Sequence, residues 1–358
     1  MARIDEMLRH MKEHDGSDLH LAAGICPRMR SHGELVAVDG WPELTDESVR
    51  EIVREIATES DWQRFEECGD LDFAYGLEGV ARFRANYFVQ EHGAGAVFRI
   101  IPEEILTLED LKLPAAIESL CHLTQGLVLI TGPTGSGKST TLAAIINEIN
   151  RTYARHIVTI ENPVEFVHKN RDSILSHREV GTHTLGFTPA LRAAIRQDAD
   201  VVLVGEMRDR ETIALAITAA EMGMLVFGTL HTNSATKTVD RIVDAFPANE
   251  QNQIRVSLSE SLAGVVSQLL LRTADGKGRC AVHEILLKTT GLANVIREGN
   301  TPMLNSIIKS GKTQGMQSMD DSLFAAVQSG RVRAVDARMK ATEKARFDPL
   351  VAKEEAAH

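Results

Sequence analysis

Residues 132–140 read Gly132-Pro133-Thr134-Gly135-Ser136-Gly137-Lys138-Ser139-Thr140. Leu127-Val128-Leu129-Ile130 runs into them as a buried strand, and Ser139 to Asn150 follows as a helix. Strand, glycine-rich turn and helix in that order satisfy G-x-x-x-x-G-K-[ST] in the setting the pattern needs. The glycines let the backbone curl until its N–H groups point inward at an anion. The helix N-terminus adds a partial positive charge at the same place. Lys138 then faces the β- and γ-phosphates, and Ser139 supplies a hydroxyl to magnesium. Gly132, Thr134, Gly135, Ser136, Gly137, Lys138, Ser139 and Thr140 are the expected contacts of ATP with Mg2+. A dinucleotide loop is the competing glycine-rich reading, and the Lys-Ser pair fits ATP better.

Outward from that loop, apolar strand, turn and helix alternate from Gln125 on. Strands are expected at 127–131, 156–161, 201–205 and 225–230. This alternation predicts an α/β fold with a parallel sheet covered by helices. From about Ala235 helices dominate, interrupted by a strand near 281–287, and a charged, frayed tail follows Arg338.

Residues 1–112 have another texture, that of a small α+β domain. Ile4, Met7, Leu8 and Met11 share one face of an opening helix. Asp18–Leu21 and Arg28–Arg30 alternate as half-buried strands, 46–67 reads as helical, and strand patterns return at 71–75, 81–89 and 95–101. Pro102 to Pro114 reads as a linker with one short helix. The expected division is therefore 1–101, a linker at 102–114, an ATPase domain with C-terminal helices at 115–338, and a tail at 339–358.

The 358 residues suit two domains of unequal size. A net charge of −11 argues against a dedicated nucleic-acid binder, whose affinity would rest on Lys and Arg neutralising phosphates. Cys26, Cys68, Cys121 and Cys280 lie far apart without a C-x-x-C pair, which favours reduced thiols over structural zinc. The opening residues lack a signal peptide's apolar stretch, and no run approaches the ~20 apolar residues that cross a bilayer. A cytoplasmic protein is expected, free to dock peripherally on a membrane complex.

Magnesium and an attacking water call for carboxylates at the ends of strands beside the loop. Val201-Val202-Leu203-Val204-Gly205-Glu206 and Ile157-Val158-Thr159-Ile160-Glu161 each end a strand in an acid. Glu161 is assigned to water polarisation and Glu206 to the magnesium shell with Ser139, roles that could be exchanged. Either acid could instead cap the next helix, but both lie where such folds bind ligands. His231 ends the strand 225–230 and fits a γ-phosphate sensor as well as it fits a satisfied polar core group. Arg82 and Arg84 share one strand face by alternation, with Arg99 on the neighbouring strand. Read alone, these arginines suit a solvated face or a swing onto a γ-phosphate.

Together the segments resemble the secretion ATPases of type IV pili, specifically the PilT-like retraction motors, from about Asp18 to Val332. Gly132–Thr140 matches the Walker A loop, Thr159–Glu165 the Asp box, Gly205–Asp209 the Walker B segment and Gly228–Thr232 the His box. His177–Gly181 and Gly315–Asp320 also fit. The resemblance implies a PAS-like N-terminal domain joined to a RecA-like ATPase domain, with ATP at their junction. It implies a cytosolic homohexameric ring that turns an inner-membrane platform protein to pull pilins from the fibre. It further implies that Arg84 and Arg99, with Arg82 beside them, approach the phosphates, and it strengthens Glu161, Glu206 and His231. Two positions depart from the pattern: Asn162 replaces the usual aspartate of the Asp box, and Ala293 replaces an arginine in a late helix. An extension or secretion ATPase, a weakly active accessory paralogue, and a second retraction ATPase sharing the work are the alternatives. A RecA-like nucleic-acid motor would need basic, aromatic-bearing loops, and an acidic chain with so few aromatics argues against it.

Overall fold

The computed structural model describes residues 2–31, 34–101 and 104–356. Residues 1, 32, 33, 102, 103, 357 and 358 lie outside the described residues, among them Pro102 and Glu103 of the expected linker and the last two of the expected tail. The chain divides into two compact units, Met1–Glu104 with Asn162–Val167, and Ile105–Glu161 with His168–His358.

The first unit is built on a six-stranded antiparallel sheet. Its strands are β1 (Gly16–Ala22), β2 (Arg28–Ser31), β3 (Glu34–Ala37), β4 (Asp70–Leu77), β5 (Ala81–Gln90) and β6 (Gly93–Ile101), in the order β3-β2-β1-β6-β5-β4. Helix Arg3–Glu13 buries Ile4, Met7, Leu8 and Met11 completely, as its apolar spacing predicts. They join Phe65, Phe83, Tyr87 and Phe98 in one core. The helical stretch expected over 46–67 is two helices, Asp46–Arg54 and Glu59–Cys68. Thr58 starts the second by accepting the Asp61 N–H, so an N-cap rather than a helix interior occupies that position. β3 was not expected; all four of its residues are exposed, which leaves no apolar alternation to read.

The second unit carries a seven-stranded sheet. Its strands are β7 (Gly126–Thr131), β8 (His156–Glu161), β9 (Ile174–Glu179), β10 (Val201–Val204), β11 (Leu225–Leu230), β12 (Leu262–Arg272) and β13 (Arg279–Leu287). They run in the order β13-β12-β7-β11-β10-β8-β9, all parallel except the β12–β13 hairpin. Four expected strands appear within a residue of their predicted bounds.

Three expectations are corrected here. The segment 262–272, read as helical, is the eleven-residue strand β12. A largely apolar run suits a buried parallel strand as well as a buried helix, and only its place beside β7 decides. No short helix occurs in the described part of 102–114; a turn spans 108–112, with Thr107 and Asp110 exchanging hydrogen bonds. The frayed tail is instead packed. Helices Ala334–Lys340 and Asp348–Glu355 follow one another, and Phe347 between them is fully buried against Leu323, Val282 and Leu271.

Candidate functional site

Strand order makes the site. β7, β11, β10 and β8 are neighbours and parallel, so their carboxyl ends fall along one edge of the second unit's sheet. The glycine-rich loop leaves β7, His231 follows β11, Gly205-Glu206 follows β10, and Glu161 ends β8. Residues up to 99 positions apart in sequence therefore line up at inter-strand spacing, about 4.8 Å per step.

The loop has the backbone its glycines were read for. Gly132, Gly135 and Gly137 have φ of 150°, 75° and 84°, conformations that side chains disfavour. A Cβ on Gly132 would also stand 2.3 Å from the Gln268 carbonyl oxygen. Helix Lys138–Thr152 starts directly at the loop. Lys138 Nζ donates to the Gly132 and Pro133 carbonyls at 2.8 and 3.1 Å, which keeps the ammonium folded over the loop. Thr134, Gly135 and Ser139 are exposed, and Ser136 is buried beneath them. Gly137 and Thr140 line a cavity of about 640 Å³ together with Leu270, Thr273, Arg279 and Arg331.

Glu206 and His231 meet. His231 Nε2 lies 3.0 Å from Glu206 Oε1, and Arg208 Nε donates to the same oxygen at 2.5 Å. Partial burial works to raise the Glu206 pKa, but Arg208 and His231 outweigh it and hold the carboxyl below its ordinary value. The same pairing raises the Arg208 pKa. Glu161 sits one strand further along. Gly205 permits the close approach of that strand end, since a Cβ there would meet the Glu161 Cα at 3.3 Å.

The three arginines belong to the first unit. Burial alternates strictly along Ala81–Tyr87, so Phe83, Ala85 and Tyr87 enter the core while Arg82 and Arg84 take the opposite face. Arg84 pairs directly with Arg99 in the β5–β6 register, which puts all three on that face. Arg99 Nε donates to Asp18 Oδ1 at 2.7 Å, Arg84 Nε contacts Asp72 Oδ1 at 3.4 Å, and Arg82 Nε donates to the Val164 carbonyl at 3.1 Å.

Sequence reasoning missed Gln268 on β12. Its Nε2 donates to the Ser136 carbonyl at 2.6 Å, and its Oε1 accepts from Thr141 Oγ1 at 2.8 Å. Beside it Ser267 bonds Thr131 at 2.8 Å. The available signal was the polar pair Ser267-Gln268 inside an apolar run, which no phosphate-loop pattern includes.

Residues 69–284 match the family described as type II/IV secretion system protein. The chain is 48% identical over 338 residues to the type IV pilus retractation ATPase PilT of Pseudomonas aeruginosa, covering 94% of this chain and 98% of that protein. It is 50% identical over 321 residues to a twitching motility protein of Neisseria gonorrhoeae, covering 89% and 86% respectively. Among solved structures, the pilus retraction motor PilT with bound ADP superimposes with a TM-score of 0.88 at 43% identity, covering 97% of this chain and 99% of that one.

Proposed function

Because the chain belongs to the type II/IV secretion system family, among its PilT-like retraction ATPases, we propose that it is an ATP-driven motor that retracts type IV pili. The observation that carries this reading is the row of strand ends: phosphate loop, His231, Glu206 and Glu161 on four successive parallel strands. A relative that binds ADP in the same fold supports nucleotide at the loop.

The residues fit ATP with magnesium. The backbone cradle at Gly132 is one that a Cβ would fill, and Ser139 and Glu206 offer the hard oxygen donors that magnesium takes. When bound, the ion neutralises charge on the phosphate oxygens. Lys138 supplies a second counter-charge as it leaves the Gly132 and Pro133 carbonyls. Glu161 orients and polarises the attacking water. His231, held to Glu206, reads whether the terminal phosphate is present. Arg84, Arg99 and Arg82 supply cationic charge to the phosphoryl group in the transition state. Gly137 and Thr140 border the 640 Å³ cavity that takes the nucleoside. A PAS-like first unit, a RecA-like second unit, a homohexameric ring in the cytoplasm and docking on an inner-membrane platform protein complete the reading. No helix among the described residues is long and apolar enough to cross a membrane.

Asn162 and Ala293 favour a second reading, a less active accessory ATPase working beside another retraction motor. Deleting the gene and counting surface pili tests the main proposal. Loss of retraction leaves cells crowded with immobile pili, whereas a bald strain would sink it. Phosphate release by Asn162→Asp compared with the native chain separates the second reading, since a large rise marks an impaired native site.

A further inference from the structure

We propose that Gln268 is a positioning residue of the nucleotide site, clamping the phosphate loop in its anion-binding form through one buried amide. The inference rests on the proposed nucleotide reading of the loop.

Gln268 is 2% exposed and makes three side-chain hydrogen bonds. The Ser136 carbonyl can only accept, so the amide nitrogen must face it. The amide oxygen is thereby turned to Thr141 Oγ1 at 2.8 Å and His283 Nε2 at 3.1 Å, both of which must donate. His283 can donate as a neutral ring carrying its proton on Nε2, and burial pushes its pKa down to about 4. The Ser136 carbonyl thus fixes the amide's direction, because a flipped amide would set its oxygen against that carbonyl oxygen.

What the clamp grips is specific. Ser136 lies in the loop and Thr141 in the first turns of the helix that follows it, so Gln268 ties the loop to its own helix from outside. The two glycines that border the grip are shaped to it. A Cβ on Gly132 would stand 2.3 Å from the Gln268 carbonyl oxygen, and one on Gly137 would stand 2.9 Å from Gln268 Nε2. Pulling the Ser136 carbonyl down onto β12 turns that peptide's oxygen away from the loop's concave side. The N–H of the same peptide then faces the anion, as a phosphate cradle requires. The His283 backbone N–H is held in turn by Ser322 Oγ at 3.0 Å, which joins the clamp to helix Met319–Gln328.

The test is ADP binding and ATP turnover by the full chain, with melting measured alongside. Gln268→Met keeps volume and loses every hydrogen bond. We expect its ADP affinity and its KM for ATP to worsen at least about tenfold while kcat changes less than about threefold, because the clamp shapes ground-state phosphate contacts. Thr141→Val, a gentler change, should weaken ADP binding about threefold, and Thr141→Ser should restore it by keeping the hydroxyl. These two variants decide the matter if Gln268→Met does not fold. The inference is overturned if Gln268→Met or Thr141→Val melts at a lower temperature yet binds ADP as the native chain does. If the native chain itself fails to bind ADP, the nucleotide reading falls first, which is a separate result.

Discussion

Replacing Phe347 by alanine should destabilise the second unit as a core mutation does. The ring is fully buried and meets Phe324 edge-on at 5.9 Å between centroids. Its cluster also contains Leu271, Val282, Met319, Leu323 and Val332, so residues of β12, β13, helix Met319–Gln328 and the segment after that helix lose a common partner. Removing a buried Phe side chain costs about 3–5 kcal/mol, because the transfer loss adds to that of an unfilled cavity. Melting falls by about 2–4 °C per kcal/mol in a body of this size, so the unit should melt roughly 10 °C lower. Thermal unfolding of the full chain, followed by circular dichroism, measures it. Met339→Ala is the control, since that side chain is 63% exposed and its loss should move stability by no more than about 0.5 kcal/mol. If both variants melt within about 2 °C of the native chain, the segment after Arg338 is a frayed tail after all and its packing is refuted.

Glu206→Gln should lower kcat about a hundredfold with ADP affinity retained, read by phosphate release; an unchanged kcat removes Glu206 from the chemistry. Arg84→Ala should cost at least about tenfold in kcat while ADP binding stays within about twofold, and equal turnover would return Arg84 to a solvated face. Asp321 gives a pH signature. Burial works to raise its pKa, but hydrogen bonds from Lys312, Arg346 and Ser318 hold it at about 2, against an ordinary 3.8. Since the folded value is the lower one, its stabilising effect is complete above about pH 4 and disappears as the pH falls towards 2. Asp321→Asn should therefore flatten the melting-temperature profile over that window, and an unaltered acid limb would contradict the pairing.

The loop and its flanking strand and helix were legible because everything that defines them is local: glycines, a Lys-Ser pair and two apolar runs. The arginine face was legible for the same reason, since alternation along Ala81–Tyr87 survives in the burial pattern residue by residue. Their register against Arg99 was not, because pairing is set between strands. β12 was hidden by an ambiguity of composition, as Leu262–Leu271 is apolar enough for either a helix or a strand. Gln268 was hidden with it, since a clamp between positions 136, 141 and 268 has no sequence spacing to recognise. The tail misled for a different reason. Charge along 338–346 outweighs one phenylalanine in any compositional reading, yet that one side chain finds a ready-made cluster.

Strand order also governs when the loop can take shape as the chain is synthesised. β7 emerges early, but the two strands that hydrogen-bond to it are β11 and β12, and the second starts roughly 130 residues later. At about 5–20 residues per second, an apolar strand with both edges bare waits on the order of ten seconds for its partners. During that wait its unpaired edges are open to wrong pairing. Truncated nascent chains that stop before Arg272 should be held by chaperones, and nucleotide should rescue only those long enough to include β12.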